Sequence, residues 1–332
     1  SVQRRVMIDS VTLRCAVPNP RETLEHLRHI AGDSRGTIFG ERTGPPYAKV
    51  RVRNLRVRLK NDSLRVEGSL PTYFGVSRLR FEDFGRYLSQ LETTFRLPMG
   101  GARITQLEVF SDFDAASPPA FYFACLGFVP KAQKAVYEGD SVRYLTQRRS
   151  FVFYAKHREW ERRRKRDREE KPPENRVRIE LKQRRVKSLL GYHLHLRDLA
   201  ESNVWLALTE KWAARYGEVS KVRPPLTDLA LGMKEGPKVV AKVLALYAIH
   251  TMGAENLMAL IESARHQGVL NTSGKATRLR NWLKALMCDA KATDDCPYLD
   301  EMDKFVAAVV ERERAEIEAA RLAREGSPTL YL

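Results

Sequence analysis

The sequence predicts an α+β fold, in which an antiparallel-sheet domain is followed by an all-helical domain. Up to about residue 185, short segments of alternating apolar and polar residues are separated by Gly, Pro and Asn-Asp-Ser turns, as in paired antiparallel strands. From about Lys187 onward, apolar residues recur at helical spacing. With 332 residues and 43% hydrophobic content, the chain can bury a substantial core. We therefore predict a sheet domain over residues 1–217 and a helical accessory domain over 218–332.

The segment Lys49–Lys60 alternates apolar and basic residues. Val50 and Val52 have one parity and Leu55 has the other, which predicts a bulge or bend near Asn54. The Asn-Asp-Ser turn that follows leads into a return strand. Such a hairpin would bury valine and leucine on one side and display arginine on the other.

Further elements are predicted along both halves of the chain. A helix is expected over Arg80–Phe95, and strands are expected in ARITQLEVFSDF, SFVFYAKH and RVRIELKQR. The mixed-charge run Trp160–Lys171 predicts a solvated helix that could also lie along a duplex backbone. The helices predicted for the second half are Leu194–Tyr216, Pro237–His250, Ala254–His266, Gly274–Cys288 and Leu299–Arg324.

The charge and the apolar content limit the class of partner. Lys and Arg number 58 against 41 Asp and Glu, for a net charge of +17, which favours a polyanionic partner and nucleic acid first. No apolar stretch approaches the roughly 18 residues of a membrane span, so no membrane partner is expected. Four scattered cysteines without a CxxC pair argue against a zinc ribbon and favour a reducing cytoplasm. The final predicted helix has an intermittent apolar stripe, which indicates a coiled-coil homodimer.

Three of the predicted strands place polar groups on one face. Tyr154 and Lys156 share the face opposite the phenylalanines of SFVFYAKH, and Glu108 lies opposite the apolar residues of RITQLEVF. Arg178, Glu180 and Lys182 lie opposite Val177, Ile179 and Leu181. If these faces coincide, the sheet carries a phenol, two carboxylates and several cations.

That combination suits phosphoryl transfer. Two carboxylates can hold Mg²⁺ or Mn²⁺, and the metal and the cations would stabilise a phosphodiester transition state. A tyrosine phenol becomes a nucleophile only when a cation, a metal or a base favours its deprotonation. Polar strand faces are also often solvated ladders of cross-strand ion pairs, and the pattern by itself favours that structural interpretation over catalysis.

Several segments together resemble the gene II-type replication initiators of filamentous bacteriophages. The segments MIDSVTLR, VEGSLPTYFG, RITQLEV, FVFYAKHREW, VRIELKQRRVKSLLG and NTSGKATRLRNW occur in the family's order. FVFYAKHREW is similar to the family's Tyr-x-Lys-His-x-Glu strand, and RITQLEV is similar to its strand with an acidic residue, although Glu108 stands where the family usually has Asp.

The resemblance implies a site-specific, metal-dependent DNA nicking and joining enzyme that starts rolling-circle replication at a phage origin in the bacterial cytoplasm. Tyr154 would form a 5′-phosphotyrosyl link, with Lys156 contacting a phosphate and Glu159 a further catalytic candidate. Glu108 and Glu180 would bind Mg²⁺ or Mn²⁺. The DNA is single- or double-stranded, and a host helicase and polymerase are implied partners. The predicted DNA-binding residues are Arg178, Lys182, Arg184, Arg185, Lys275 and Arg278.

Several alternatives remain open. Asp112 has the parity of Glu108 and is a further candidate metal ligand, although acids that end a strand are often turn formers. His193 and His195 match the His-hydrophobe-His metal motif of another tyrosine nickase superfamily, but they occur where the pattern has become helical. The parity of His157 separates it from Tyr154. A non-enzymatic DNA-binding protein, such as a repressor or an origin binder, is the competing class of function.

Overall fold

The computed structural model describes residues 5–31, 37–40, 44–77, 79, 81–137, 140–162, 171–221, 245, 254–270, 273–289 and 296–325. It confirms the predicted class, because a large antiparallel sheet is accompanied by helices that include the C-terminal elements. The predicted helix Pro237–His250 lies outside the described residues apart from Ala245, and so does the basic run after Arg162.

One ten-stranded antiparallel sheet organises the described part of the chain. Its spatial order is β2-β3-β4-β5-β1-β6-β10-β9-β8-β7, so β6 and β10 lie near its centre. The strands are β1 Met7–Ala16, β2 Ile38–Phe39, β3 Tyr47–Val52, β4 Leu55–Lys60, β5 Ser63–Ser69, β6 Arg103–Asp114, β7 Gln133–Tyr137, β8 Ser141–Leu145, β9 Arg149–Ala155 and β10 Arg176–Arg184.

The helices lie between and after these strands. Two short 3₁₀ segments, Met99–Gly101 and Leu196–Ala200, accompany them. The α-helices are α1 Pro20–Ile30, α2 Leu70–Phe74, α3 Phe84–Phe95, α4 Pro119–Ala124, α5 Lys156–Arg162, α6 Lys187–Leu190, α7 Ser202–Gly217, α8 Ala254–His266, α9 Ser273–Asp289 and α10 Pro297–Glu325.

The segment Lys49–Lys60 forms two strands, so the predicted bulge or bend near Asn54 is a reversal of the chain and not a bulge. A tight turn with Arg53 at a φ of 53° reverses the chain between β3 and β4. Val50 then lies directly opposite Val57. The change of parity in the sequence is therefore the signature of a turn, and both strands bury their apolar residues on one face, as predicted.

Helices α7 and α10 cover the apolar face of the central strands. Val177, Ile179 and Leu181 of β10 are fully buried, as their parity predicted. The Trp212 indole of α7 donates a hydrogen bond to the Ile179 carbonyl at 3.1 Å. Phe305 of α10 packs on Phe113 of β6 with ring centroids 4.9 Å apart. The opposite, polar face of these strands carries the candidate site.

The final helix uses its apolar stripe within the chain. Phe305 and Val309 are buried in the same core as the strands of the sheet, so part of the stripe that suggested a homodimer packs against the sheet domain. The last helix of the predicted accessory domain is thus a structural part of the first domain. Helices α8 and α9 share a separate small cluster around Ile261, Ala276 and Leu283. The boundary at residue 217 stays a prediction.

None of the described helices is long and apolar enough to cross a membrane. Cys15, Cys125 and Cys296 are free thiols, and the sulfur atoms of Cys125 and Cys296 lie 3.6 Å apart in the core.

Candidate active site

A polar cleft of about 350 Å³ lies on the face of β6, β10 and β9 that the helices leave open. It brings together predicted residues from all three strands. Of the residues predicted from the sequence, the cleft is lined by Glu108, Tyr154, Lys156, Glu159, Arg178, Glu180 and Lys182.

The strand register explains why these groups meet. Arg178 of β10 lies directly between Tyr154 of β9 and Asp112 of β6, and Lys182 lies opposite Glu108. In antiparallel strands, directly opposed residues point to the same face. The three polar faces that the sequence predicted separately therefore coincide.

Tyr154 and Glu180 form the centre of the cleft. The phenol of Tyr154 donates a hydrogen bond to Glu180 Oε2 at 3.2 Å. Burial raises the pKa of Tyr154 far above its ordinary value, and the negative charge of Glu180 adds to this effect. Burial, followed by the charge of Glu108, raises the pKa of Glu180 to about 7. The chain alone thus holds Tyr154 as the neutral phenol beside a carboxylate that retains its proton unusually well.

Glu108 is the second carboxylate of the cleft and is only 8% exposed. Lys182 donates a hydrogen bond from Nζ to Glu108 Oε2 at 2.9 Å. Burial nevertheless raises the pKa of Glu108, because the effect of Lys182 is smaller than the cost of removing the carboxylate from water. Glu108 is buried and Glu180 is half-buried on the neighbouring strand, and an added cation would stabilise the ionised forms of both.

Arg178 is held by Asp112 and not by the cleft carboxylates. Its guanidinium donates two hydrogen bonds to Asp112, at 2.6 and 2.8 Å, and lies over the Phe110 ring, 3.6 Å from the centroid. Asp112 is inside β6, so it is not a turn former, and the structure does not place it among the residues that line the cleft. We accordingly reassign Asp112 from candidate metal ligand to the residue that orients Arg178.

Lys156 begins helix α5 and does not continue β9, which corrects its predicted position on the strand. Its Nζ donates a hydrogen bond to Glu159 Oε2 at 2.7 Å and lies 6.0 Å from the centre of the Tyr154 ring. The helix start brings Glu159 back to the side of Tyr154, as the sequence allowed. His157 is buried, is hydrogen-bonded to the Pro172 carbonyl and does not line the cleft.

Asp9 is a cleft residue that the sequence reasoning missed. It lies in β1 at a register shift between Ile8 and Val11, which pair with Val109 and Leu107 on either side of Glu108. Its charge raises the pKa values of both Glu108 and Glu180. The acidic residue in MIDSVTLR could have indicated Asp9. The register shift interrupts the alternation of faces there, so strand parity does not show which face Asp9 is on. The other cleft residues that were not predicted are Asp140, Ser141, Arg143, Val152, Ala155, Arg158 and Arg162.

The remaining predicted residues lie away from the cleft lining. His195 immediately precedes the 3₁₀ segment Leu196–Ala200, with Nδ1 3.6 Å from Asp198, and His193 is exposed two residues earlier. Neither histidine lines the cleft. Four predicted DNA-binding residues are exposed. Arg184 ends β10 and Arg185 follows it, and Lys275 and Arg278 lie on α9.

The donor set was tested for its fit to a metal ion. Within the described ranges, no group of three or more His, Cys, Asp or Glu side chains is arranged to hold one. Mg²⁺ is commonly bound by one or two carboxylates together with waters and substrate phosphates. Glu108 and Glu180 fit that smaller set, because both are oxygen donors whose pKa values stay raised although Lys182 and Arg178 lie close to them.

Comparisons with known proteins add no assignment. No protein-family profile matches the sequence, and no curated protein matches it. A similar solved chain belongs to the crystal structure of A. aeolicus tRNASec in complex with M. kandleri SerRS. It is 15% identical with a TM-score of 0.21, and the match covers 67% of this chain and 32% of that chain. A similarity at that level carries no argument about fold or function.

Proposed function

We propose that the protein is a metal-dependent DNA nicking and joining enzyme that uses Tyr154 as its nucleophile and initiates rolling-circle replication. The observation that carries the proposal is the 3.2 Å hydrogen bond from the Tyr154 phenol to Glu180. A nucleophile paired with a base of raised pKa, inside a cleft lined by cations, is the arrangement that phosphodiester attack requires. The net charge of +17 supports a nucleic-acid substrate.

The residues of the cleft divide the reaction between them. The Tyr154 oxygen forms a bond to phosphorus, the bond from phosphorus to the 3′-oxygen breaks, and the phenolic proton passes to Glu180 Oε2. The released 3′-oxygen takes a proton from water and becomes a primer terminus. Arg178, fixed by Asp112, and Lys182 would neutralise the phosphate. The phosphotyrosyl link retains the free energy of the broken bond, so rejoining needs no ATP.

The metal would be Mg²⁺ or Mn²⁺, held by Glu108 and Glu180. When bound, it supplies positive charge that lowers the pKa of the phenol and stabilises the charge of the transition state. Lys182 then remains close to Glu108 as a phosphate contact. Lys156 and Glu159 form an ion pair beside the Tyr154 ring, which positions the lysine for a neighbouring phosphate.

The resemblance of the ordered segments to phage initiators supports a substrate that is a phage replication origin. It also supports action in the bacterial cytoplasm alongside a host helicase and polymerase. The competing function, a DNA-binding protein without chemistry, would use the same cations but no nucleophile.

The test separates the two classes by covalent attachment. The full chain is incubated with Mg²⁺ and internally labelled supercoiled origin DNA, the DNA is trimmed with nuclease, and the products are separated on denaturing gels. We expect label to stay with the protein in the wild type and in Tyr144→Phe, a buried tyrosine of β8 outside the cleft. We expect no protein-bound label with Tyr154→Phe. Unchanged nicking by Tyr154→Phe would reject the nucleophile, and binding without any nicking would favour the DNA-binding class.

A further inference from the structure

The open face of the sheet carries a row of cations that the candidate active site does not use. Reading across neighbouring strands, Lys49 of β3 lies opposite Arg58 of β4, which lies opposite Arg65 of β5. Arg65 lies opposite Arg14 of β1, which lies opposite Arg103 of β6. Five basic residues therefore form one line across five adjacent strands. We call this line the cation row.

The cation row is largely uncompensated. Arg65 lies 3.3 Å from Glu67, but the side chains of the other four members form no ion pair or hydrogen bond with any described residue. These four residues are Lys49, Arg58, Arg14 and Arg103, and all four are exposed. Like charges directly opposite each other across strands destabilise a sheet. An anionic ligand bound along this line would relieve the repulsion.

One end of the cation row lies along a groove of about 450 Å³. The groove is lined by Lys49, Arg58 and Arg65. It is also lined by Arg51 and Arg56, which lie opposite each other on β3 and β4. The described residues that line the groove include no aromatic ring. Single-stranded nucleic acid is usually held by aromatic rings on which the bases stack, so this surface is suited to phosphates and not to bases.

The cation row and the cleft share one face of the sheet. Thr12 of β1 lies opposite Gln106 of β6. Gln106 precedes Glu108 by two residues, so both point to the same face of the sheet. Arg14 follows Thr12 by two residues and therefore points to that face as well. With neighbouring strands about 4.8 Å apart, the row spans roughly 19 Å. It lies roughly 17 Å from Glu108 along β6, at about 3.4 Å per residue. If a DNA duplex binds along the cation row, the DNA strand that continues from it lies within reach of the cleft.

We infer that the cation row is a docking surface for the phosphate backbone of duplex DNA that flanks the cleavage site. This inference deepens the proposed function by naming the surface and the form of DNA that it holds. It concerns binding alone, so it can be tested in the absence of divalent metal, where no cleavage is expected.

The experiment compares two pairs of substitutions that remove the same charge. The row pair is Arg14→Gln with Arg58→Gln. The control pair is Lys211→Gln with Lys304→Gln, two exposed lysines on α7 and α10, the helices on the other side of the sheet. Binding of the full-length proteins to a labelled duplex, and to either of its single strands, is measured by anisotropy over a series of salt concentrations in EDTA.

For the duplex, log K falls with log salt by about 0.9 for each phosphate neutralised. We expect the row pair to reduce this slope by about 1.8 and the control pair to leave it unchanged. If the slope is unchanged in the row pair, or falls equally in both pairs, the cation row is not a docking surface for duplex DNA. A loss confined to the single strands would overturn the assignment to duplex DNA.

A third variant separates this inference from the nuclease proposal. Tyr144→Phe should bind the duplex with the wild-type slope, because this buried tyrosine of β8 belongs neither to the cleft nor to the row. If the wild-type protein never cleaves DNA but the row pair still loses slope, the nuclease proposal fails and the docking surface stands. Circular dichroism melting of each variant confirms that a loss of binding is not a loss of folding.

Discussion

The Tyr154 phenol donates a hydrogen bond to Glu180 Oε2 at 3.2 Å, from one strand to its neighbour in the centre of the sheet. This contact gives the cleft its chemical character. It pairs a nucleophile whose pKa is raised by burial with a carboxylate whose pKa is raised to about 7. Burial disfavours the ionised form of both groups, so added positive charge in the cleft would favour their deprotonation.

The first prediction concerns the pH dependence of stability. The pKa of Glu180 is raised to about 7 from the model-compound value of 4.5, so the folded state binds this proton more tightly than the unfolded state. The free energy of unfolding should therefore fall as pH rises from about 4.5 to about 7 and then level off. Glu180→Gln should flatten that decline and melt higher than wild type at pH 8 without metal. A lower melting temperature than wild type at pH 8 would contradict the raised pKa.

The second prediction distinguishes the metal ligands from Asp112. If Glu108 and Glu180 bind Mg²⁺, adding Mg²⁺ should raise the melting temperature of the wild type, because a ligand that binds only the folded state adds RT ln(1 + [L]/Kd) to its stability. Glu108→Gln should lose this response. Asp112→Asn should keep it but lose stability, by up to roughly 3–5 kcal/mol, because Arg178 is left without its charged partner. Calorimetry with and without Mg²⁺ measures both effects, and a lost Mg²⁺ response in Asp112→Asn would restore that residue to the metal site.

Parts of this site follow from the sequence and parts do not. Strand parity placed Glu108, Glu180 and Tyr154 correctly, because regular strands alternate between two faces and a buried face must be apolar. It failed at Asp9, where a register shift interrupts the alternation, and at Lys156, where the strand gives way to a helix. The partner of Asp112 could not be predicted either, because cross-strand register depends on tertiary pairing that no local pattern records. For the same reason the cation row is visible only once five strands are aligned.

The third prediction concerns the cost of the cation row. Removing one like charge from the line should relieve repulsion across the strands, so Arg58→Gln should stabilise the protein by about 0.2–1 kcal/mol at low salt. The gain should disappear at high salt, where exposed charges are screened. Urea denaturation at two salt concentrations measures the change. Arg312→Gln, which breaks the surface ion pair of Arg312 with Glu316 on α10, should show no such gain.

The fourth prediction concerns the alternative in which His193 and His195 bind the metal. His193 and His195 lie outside the cleft lining, and His195 is the N-cap residue of the 3₁₀ segment Leu196–Ala200. The double variant His193→Gln with His195→Asn keeps polar side chains and a favourable residue at the helix start. It should form the covalent DNA complex at the wild-type rate. A loss of the complex in a variant that folds and binds DNA would assign the metal to the histidine pair.

The central claim is that Tyr154 becomes covalently joined to DNA, and peptide mapping of the trapped complex tests it most directly. The protein is reacted with origin DNA and Mg²⁺, the complex is digested with nuclease and protease, and the nucleotide-bearing peptide is identified by mass spectrometry. We expect a 5′-phosphotyrosyl adduct on the peptide that contains Tyr154, and no adduct on any other tyrosine. An adduct on a different residue, or cleaved DNA without any protein adduct, would contradict it.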